Sequence, residues 1–284
     1  MMTRSTAAEV LPAHRLSQAP LDEQIARTEA RVRAQPTTPP HRWALFQSMC
    51  VTGQWARAIQ QLQVWGRLVP DQAQTAQVFR DLIRAERHRA RVVHGRARPG
   101  FVFDPPPWID GLLGALRAAA EGQLEVADGL RSAAFDAAPD VATSIPDGTA
   151  AWIVDSDSRL GPVCEFISAG HYRWVPIADL AGWRVSTPTT LVDLVWAPCT
   201  LTLVDGNTLH GFMPARYPGS EAGSDAVRVG RETVWRHEGR TAAIALGQKT
   251  WMTEQGDFSL FELADATFGS HVARHATDRK QLDD

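Results

Sequence analysis

The sequence predicts a multidomain α and β fold, with an N-terminal all-α domain of tetratricopeptide-like helical repeats and a C-terminal all-β domain resembling a barrel or sandwich. From residue 21 to residue 140, apolar side chains recur every three or four residues, a spacing typical of amphipathic helices. From residue 150 to residue 268, short runs of Val, Ile, Thr and Trp alternate with Gly, Pro and Asp, which predicts many short strands. The segment Ala138–Thr149, which contains two prolines, marks the boundary between the domains.

Length, charge and cysteine content narrow the functional classes. The 284 residues suffice for two domains, and a formal net charge of −3 argues against nucleic-acid binding through bulk charge. Residues 1–20 lack the apolar core of a signal peptide and no apolar run could span a membrane, so we expect a cytoplasmic protein. We expect residues 1–20 to be a disordered extension and residues 269–284 a polar tail. The widely spaced cysteines predict no disulfide framework and no metal site, and no cofactor motif occurs.

Two stretches of the helical region share a spacing that is typical of helical-hairpin repeats. Gly53 and Gly122 are each followed by alanine after five residues, a further apolar residue after twelve and proline after seventeen. They lie 69 residues apart, close to two periods of a repeat of about 34 residues. We predict that both glycines lie at helix–helix turns. Arg131 stands where the first copy has Leu62, so an ordinary helical bundle with a chance match is the alternative.

One long helix is predicted between the two copies, at Asp71–His94. Its predicted buried face comprises Phe79, Leu82, Ile83, Ala90 and Val93. A different face carries four arginines in helical register, namely Arg80, Arg84, Arg87 and Arg91. These arginines either form a docking surface for an acidic partner or are a solvated face without a function.

The β region begins with five apolar runs that predict strands. They are Ala151–Val154, Val163–Ile167, His171–Val175, Thr200–Val204 and Ala242–Leu246. Six tryptophans of this region, among them Trp196, are expected to fill its core for the most part.

Motifs with a defined chemistry are missing from the sequence. It contains no phosphate-binding loop, no serine-hydrolase elbow and no HExxH motif. Asp155-Ser-Asp157 resembles the start of a calcium loop, but Leu160 and Phe166 replace the glycine and the acidic residue that such a loop requires. The two aspartates could act in general acid–base catalysis or accept hydrogen bonds in a tight turn, which is the commoner use.

Several short strings, taken in their order along the chain, carry a family resemblance. They are Arg96–Pro99, Pro105–Trp108, Asp155–Pro162, Trp174–Pro176, Asp193–Pro198, Pro214–Glu221, Arg231–Thr233, Ala245–Gln248 and Gln255–Asp257. Together they resemble the ImpE family, also called TagJ or SciE-type proteins, over about residues 21–268. The string most characteristic of that family is Pro214–Glu221.

The resemblance implies an accessory component of the bacterial type VI secretion system and a non-enzymatic adaptor. It implies binding to the small sheath subunit (TssB type), near the ClpV-type AAA+ ATPase that recycles the sheath. It supplies no catalytic residue. Residues of the family strings are expected to be structural, namely Asp155, Asp157, Arg159, Gly161, Pro162, Trp196, Arg216, Tyr217, Pro218, Gly219 and Glu221.

A groove of the helical domain is the predicted partner site, because helical repeats commonly hold an amphipathic helix or an extended peptide. Trp43 and Trp55 are predicted aromatic anchors at its edge, and the four arginines would steer an acidic partner toward it. In the β domain we predict a sharp structural turn after Asp157, with Arg159 paired to Glu221.

The alternative is a small-molecule-binding or hydrolytic enzyme with a carboxylate-lined site in the β domain. In that case five side chains would converge in one deep cleft: Asp155, Asp157, Arg216, Tyr217 and Glu221. If they instead pair locally and stabilise turns, the enzyme hypothesis loses its support.

Overall fold

The computed structural model describes residues 19–271, so the predicted N-terminal extension and C-terminal tail lie almost wholly outside the described residues. We call residues 19–142 the helical half and residues 143–271 the β half. The helical half contains α1 (Leu21–Ala34), α2 (Pro39–Val51), α3 (Trp55–Leu68), α4 (Ala73–Val93), α5 (Trp108–Ala120) and α6 (Leu124–Ala137).

Two helical hairpins form as the spacing predicted. The turn between α2 and α3 contains Gly53, and the turn between α5 and α6 contains Gly122. Their backbone φ angles are 68° and 78°, values that glycine adopts without steric cost. Between the hairpins lies α4, a single helix of 21 residues, followed by irregular chain to residue 107 rather than by a second helix. The tetratricopeptide assignment therefore stays a prediction.

The β half consists of short strands, single-turn 3₁₀ helices and one four-residue α-helix, α7 (Asp225–Arg228). The strands are β1 (Thr143–Ile145), β2 (Gly148–Ala150), β3 (Ile153–Asp155), β4 (Val163–Ser168), β5 (His171–Pro176), β6 (Leu180–Val185), β7 (Trp196–Leu203), β8 (Thr208–Pro214), β9 (Thr233–Glu238), β10 (Ala242–Gly247), β11 (Thr250–Thr253), β12 (Gly256–Ser259) and β13 (Asp265–Thr267).

The main sheet has six antiparallel strands in the order β13-β6-β7-β8-β4-β5, and it is open, so the predicted barrel closure is wrong. Other parts of the chain cover the two edges instead. Gly100 bridges Arg173 of β5, and Phe268 after β13 bridges Thr143 of β1. Smaller sheets have the orders β12-β11-β3, β10-β9 and β1-β2. Trp251 of β11 packs on Trp183 of β6 with 4.6 Å between ring centroids, which joins two of the sheets.

Two apolar clusters form the core, and one of them belongs to both halves. That cluster combines side chains of all helices from α1 to α6 with Val163, Tyr172, Trp174 and Trp196 of the β half. The other cluster lies mainly within the β half, around Trp251. The halves are therefore packed directly against each other. Within residues 19–271, no helix is long and apolar enough to cross a bilayer.

Candidate functional site

A cleft of about 780 Å³ lies where α4 meets β5 and the turn that precedes it. Four of its basic side chains come from α4, where spacings of three and four residues place them on one face. The guanidinium groups that line it belong to Arg80, Arg84, Arg87, Arg91 and Arg173. The cleft therefore combines a basic helix face with a basic strand.

Two of these arginines have partners within α4 itself. Arg84 pairs with Asp81 at 3.0 Å, although 66% of the Arg84 side chain is exposed. Arg80 donates hydrogen bonds of 2.9 and 3.1 Å to the neutral amide oxygen of Gln77. Within the described part of the chain, Asp81 is the one carboxylate that pairs with any of the five guanidinium groups.

The other three arginines of the cleft have no carboxylate partner within residues 19–271. Arg173 donates to the backbone oxygens of Ser168 and His171, at 2.8 and 3.3 Å. Arg87 and Arg91 are exposed and form no ion pair with any residue from 19 to 271. The cleft thus has a local positive excess in a chain whose formal net charge is −3.

The four predicted docking arginines thus share one cleft, and their role in binding stays a prediction. Sequence reasoning missed the contribution of the β half, namely Arg173 and His171. The sequence predicts a strand at His171–Val175. That strand lies about 80 residues from α4 in the sequence, and no local pattern shows that the two are neighbours in space. The apolar periodicity of α4 indicates which face of the helix is buried, but it does not indicate which part of the chain lies beside the basic face.

Trp43 and Trp55 are half-buried and pack against rings of the same chain. The ring of Trp43 lies 4.7 Å from that of Trp65 and 5.2 Å from that of Phe79. The ring of Trp55 lies 5.7 Å from that of Trp196 in the β half. Trp55 thus packs against the β half on one side, and the predicted anchoring of a partner by these tryptophans stays a prediction.

The buried face of α4 carries an arginine that the sequence analysis did not single out. Arg89 of α4 is 1% exposed and makes two hydrogen bonds of 2.7 Å, from Nε and Nη2, to the two carboxylate oxygens of Glu165 in β4. Its Nη1 donates to Glu86 at 3.0 Å. The signal in the sequence is positional, because Arg89 lies seven residues after Leu82 and three before Val92 on the buried face.

The network continues from Glu165 into the β half. Lys249 Nζ is fully buried between Glu165 Oε2 at 2.9 Å and Asp155 Oδ2 at 2.5 Å. Tyr172 donates to Glu165 at 2.5 Å, and Tyr217 donates to Asp155 at 2.8 Å. Every charged group of this network therefore contacts at least one group of opposite charge.

Burial and charge set the protonation of the two central carboxyl groups. Burial raises the pKa of Asp155 to about 6, although the ammonium group of Lys249 opposes this shift. Burial would also raise the pKa of Glu165, but the charges of Arg89 and Lys249 outweigh it and hold that pKa well below its usual range. Glu165 is thus the permanent anion at the centre of the network.

Asp157 and Arg159 form a local structural unit. Arg159 Nη2 lies 2.6 Å from Asp157 Oδ2, and its Nε lies 2.9 Å from Oδ1. Asp157 also accepts the backbone N–H groups of Arg159 and of Ala245 in β10, each at 2.9 Å. The predicted pairing of Arg159 with Glu221 is wrong, because the carboxylate two residues away in the same turn already holds the guanidinium group.

The string Pro214–Glu221 docks on the helical half. Arg216 donates to the backbone oxygens of Val51, at 2.6 Å, and Cys50, at 3.1 Å, at the end of α2. The last carbonyl groups of a helix have no donor within it, and that of Cys50 also accepts the backbone N–H of Gly53 at 3.2 Å, so a buried guanidinium group from the β half completes the cap of α2. Glu221 lies directly against Gly53 in the turn that follows.

The other residues of the family strings also lie in packed positions. Gly161, with a φ of 56°, leaves no room for a Cβ because the ring of Phe135 would lie 2.4 Å from it. Trp196 is 1% exposed and donates through Nε1 to Glu86 at 3.1 Å. Pro162 and Pro218 are buried, and Gly219 has a left-handed conformation before the short 3₁₀ helix Ser220–Ala222.

The five groups of the enzyme hypothesis do not meet in an open cleft. Asp155 and Asp157 are held by Lys249 and Arg159, and Arg216 caps a helix. In the described part of the chain, no group of three or more His, Cys, Asp and Glu side chains could hold a metal ion. The geometry of these carboxylates therefore gives the enzyme hypothesis no support.

Comparison with known proteins extends over nearly the whole chain. The sequence model described as "ImpE protein" matches residues 147–267. The chain is 41% identical over 263 residues to the "Type VI secretion system accessory component TagJ" of Pseudomonas aeruginosa, covering 92% of this chain and 90% of that protein. The crystal structure of protein VPA1032 from Vibrio parahaemolyticus has the same fold, with a TM-score of 0.82 at 24% identity, over 89% of this chain and 95% of that one.

The two sequence matches agree with the strings quoted above. The match to the family covers most of the β half, and the match to the relative from Pseudomonas aeruginosa extends through the helical half as well. At this identity and coverage, the chain belongs to the ImpE family of TagJ-type proteins.

Proposed function

We propose that this protein is a non-enzymatic accessory protein of the bacterial type VI secretion system. The observation that carries the proposal is its 41% identity, over 92% of the chain, to a protein named as an accessory component of that system. In this proposal the protein works in the cytoplasm as an adaptor. It binds the small sheath subunit (TssB type) and links it to the ClpV-type ATPase that recycles the sheath.

The arrangement of charged groups supports an adaptor better than a catalyst. Buried carboxylates that could serve as acids or bases are already engaged, since Asp155 and Glu165 share Lys249 and Glu165 also holds Arg89. Arginines without a carboxylate partner instead line an accessible surface, the cleft between α4 and β5. Such a surface is suited to recognition of another macromolecule.

Co-purification tests the proposal directly. The full chain, carrying an affinity tag, is produced together with the small sheath subunit from the same genome, and the complex is analysed by size-exclusion chromatography. We expect the two proteins to elute together, while an unrelated acidic protein of similar size elutes separately. Separate elution of the sheath subunit at micromolar concentrations would reject the proposed partner. The full chain is required because the two halves share a core.

A further inference from the structure

We propose that the cleft between α4 and β5 binds an acidic peptide segment, whose carboxylates pair with Arg80, Arg87, Arg91 and Arg173. The inference rests on the proposed function for the existence of a protein partner, and it adds the chemistry and the place of recognition. Both halves of the chain build the site, since the first three arginines lie on α4 and the fourth on β5.

The charge balance of the cleft is the first argument. Five guanidinium groups line it, and only Arg84 has a carboxylate partner, Asp81, within residues 19–271. Like charges held close together repel one another, and an anionic occupant removes that repulsion. Neutral carbonyl and amide oxygens, which are the partners of Arg173 and Arg80, leave the net charge unchanged.

The spacing of the arginines is the second argument, because it favours a chain of carboxylates over a single small anion. Arg80 and Arg91 are eleven residues apart, or about 16 Å along the axis of α4 at about 1.5 Å per residue. A single carboxylate or phosphate cannot contact both ends of this row. A peptide with an acidic residue at every third or fourth position, in helical conformation, presents carboxylates at the same interval of about one turn.

Apolar surface in the same cleft suits the side chains between those acidic residues. Ile83 lies at its base, and the half-buried side chains of Ile59 and Phe101 line it as well. A peptide that alternates acidic and apolar side chains gains from both kinds of contact. A peptide is thus a better match than a purely ionic ligand.

A nucleic acid would present phosphates at a comparable spacing, but the rest of the molecule disfavours it. The chain contains 32 acidic and 29 basic residues, so its field outside the cleft repels a long polyanion. Among the rings that line the cleft, Tyr172 is 2% exposed and Phe101 is half-buried, so neither presents an open face on which successive bases stack.

Fluorescence anisotropy with the full chain tests this inference. The probe is a short fluorescein-labelled peptide with glutamate at every third or fourth position and leucine between them. Its counterpart has glutamine in place of each glutamate, and a single-stranded DNA oligonucleotide forms the third arm. We expect the glutamate peptide to bind most tightly and to weaken as salt is added, because exposed ion pairs are screened. Equal binding of the glutamate and glutamine peptides would overturn the inference, as would tighter binding of the DNA.

Charge-reversal variants locate the site. The double variant Arg87→Glu/Arg91→Glu should bind the glutamate peptide about 10-fold more weakly, since two attractions become repulsions. Arg117→Glu/Arg231→Glu changes the net charge equally at two exposed positions outside the cleft, and it should stay within about 2-fold of the wild type. Circular dichroism checks that each variant is folded, and Arg87→Gln/Arg91→Gln should give a smaller loss. Equal losses in the cleft variant and the control would overturn the inference.

Co-elution experiments with the sheath subunit distinguish failure of this inference from failure of the proposed function. If this subunit elutes with the wild type and equally well with Arg87→Glu/Arg91→Glu, the cleft is not the recognition site and the inference fails, while the proposed function stands. If the glutamate peptide binds the cleft but the sheath subunit never elutes with the protein, the proposed partner is rejected and acidic-peptide recognition stands.

Discussion

At position 89 an arginine occupies a place on the buried face of α4 that an apolar residue would normally fill. Taking a guanidinium group out of water is costly, and two parallel hydrogen bonds to Glu165 together with one to Glu86 offset that cost. Glu165 receives a second cation, Lys249, so it remains ionised although it is fully buried. Such a network tolerates the loss of one partner badly, because the others stay buried and unpaired.

Arg89→Ala should therefore lower the free energy of unfolding by about 3–5 kcal/mol, as expected when one partner of a buried ion pair is removed. Urea denaturation followed by circular dichroism measures this change. Arg91→Ala is the matched control, since Arg91 lies two residues further along the same helix and is exposed, and its effect should stay within about 0.5 kcal/mol. A loss as small as that of Arg91→Ala would show that Arg89 contributes no more than a surface residue.

Sequence reasoning could find the exposed arginines of α4 but not the role of Arg89. The row formed by Arg80, Arg84, Arg87 and Arg91 is visible from local spacing alone. The same spacing places Arg89 on the apolar face. Its partner Glu165 is 76 residues away, and no local sequence pattern indicates that the two side chains pair. Long-range ionic contacts between halves are set by tertiary packing, which a single sequence does not encode in a readable pattern.

Among the elements, the α2–α3 turn makes direct contacts with the β half. Arg216 caps the end of α2, and the aliphatic part of Glu221 fills the space beside Gly53. A Cβ atom on Gly53 would lie 2.7 Å from Glu221 Cγ and 2.9 Å from Glu221 Cβ. The glycine thus serves both the turn and the contact between the halves.

Gly53→Ala and Gly122→Ala form a matched pair that separates these two effects. Both positions have positive φ, so each substitution should cost about 1–2 kcal/mol of backbone strain. Only Gly53→Ala also forces Glu221 to move, since nothing lies within 4 Å of a Cβ on Gly122, and its total loss should reach about 2–4 kcal/mol. Urea denaturation of both variants measures the difference, and equal losses would contradict the contact with Glu221.

Asp128 connects α6 to the turn between β9 and β10. It accepts the backbone N–H groups of Arg240, at 2.7 Å, and Thr241, at 3.1 Å, and the hydroxyl of Thr241 at 2.7 Å. The hydrogen bond from the Arg240 backbone is the largest cause that lowers the pKa of Asp128 to about 2 from its ordinary 3.8. The carboxylate form is therefore the one that stabilises the native protein.

This shift predicts the pH dependence of one contact. A depressed pKa in the folded state gives stabilisation that is complete above about pH 5 and is lost as the pH falls through about 4 toward about 2. The difference in unfolding free energy between wild type and Asp128→Asn should stay constant above about pH 5 and shrink below about pH 4. Urea midpoints of both proteins at several pH values measure it. A difference that stays the same through this acid range would show that Asp128 titrates normally.

At this scale the helices were far more predictable than the sheet. The helix predicted at Asp71–His94 is α4 with a preceding 3₁₀ turn at Pro70–Gln72, because apolar periodicity over 20 residues is a strong local signal. Barrel closure depends on which strands become neighbours at the two ends of the sheet. Here Gly100 covers β5 and the chain around Thr143 covers the end of β13, and neither contact has a local signature.

At the scale of the whole molecule, the change of sequence texture near residue 140 does not separate two independent cores. One apolar cluster contains Leu62 of α3 together with Tyr172 and Trp196 of the β half. Polar contacts cross the same boundary as well, among them those of Arg89, Arg216 and Asp128. The candidate cleft lies on this boundary too, so its geometry depends on both halves being folded and docked together.

Residues 19–271 should therefore unfold as one cooperative unit. Leu260→Ala opens a cavity in the cluster around Trp251, within the β half, and should lower the thermal midpoint by about 5–10 °C. Because the halves share a core, the thermal midpoint of the helical signal, measured by far-ultraviolet circular dichroism, should fall by as much as the midpoint of the whole protein. The same agreement is expected for Leu62→Ala in α3. Calorimetric and van't Hoff enthalpies should agree for the wild type. A helical signal that keeps its midpoint in Leu260→Ala would mean that the halves unfold separately, and each half could then be tested alone for partner binding.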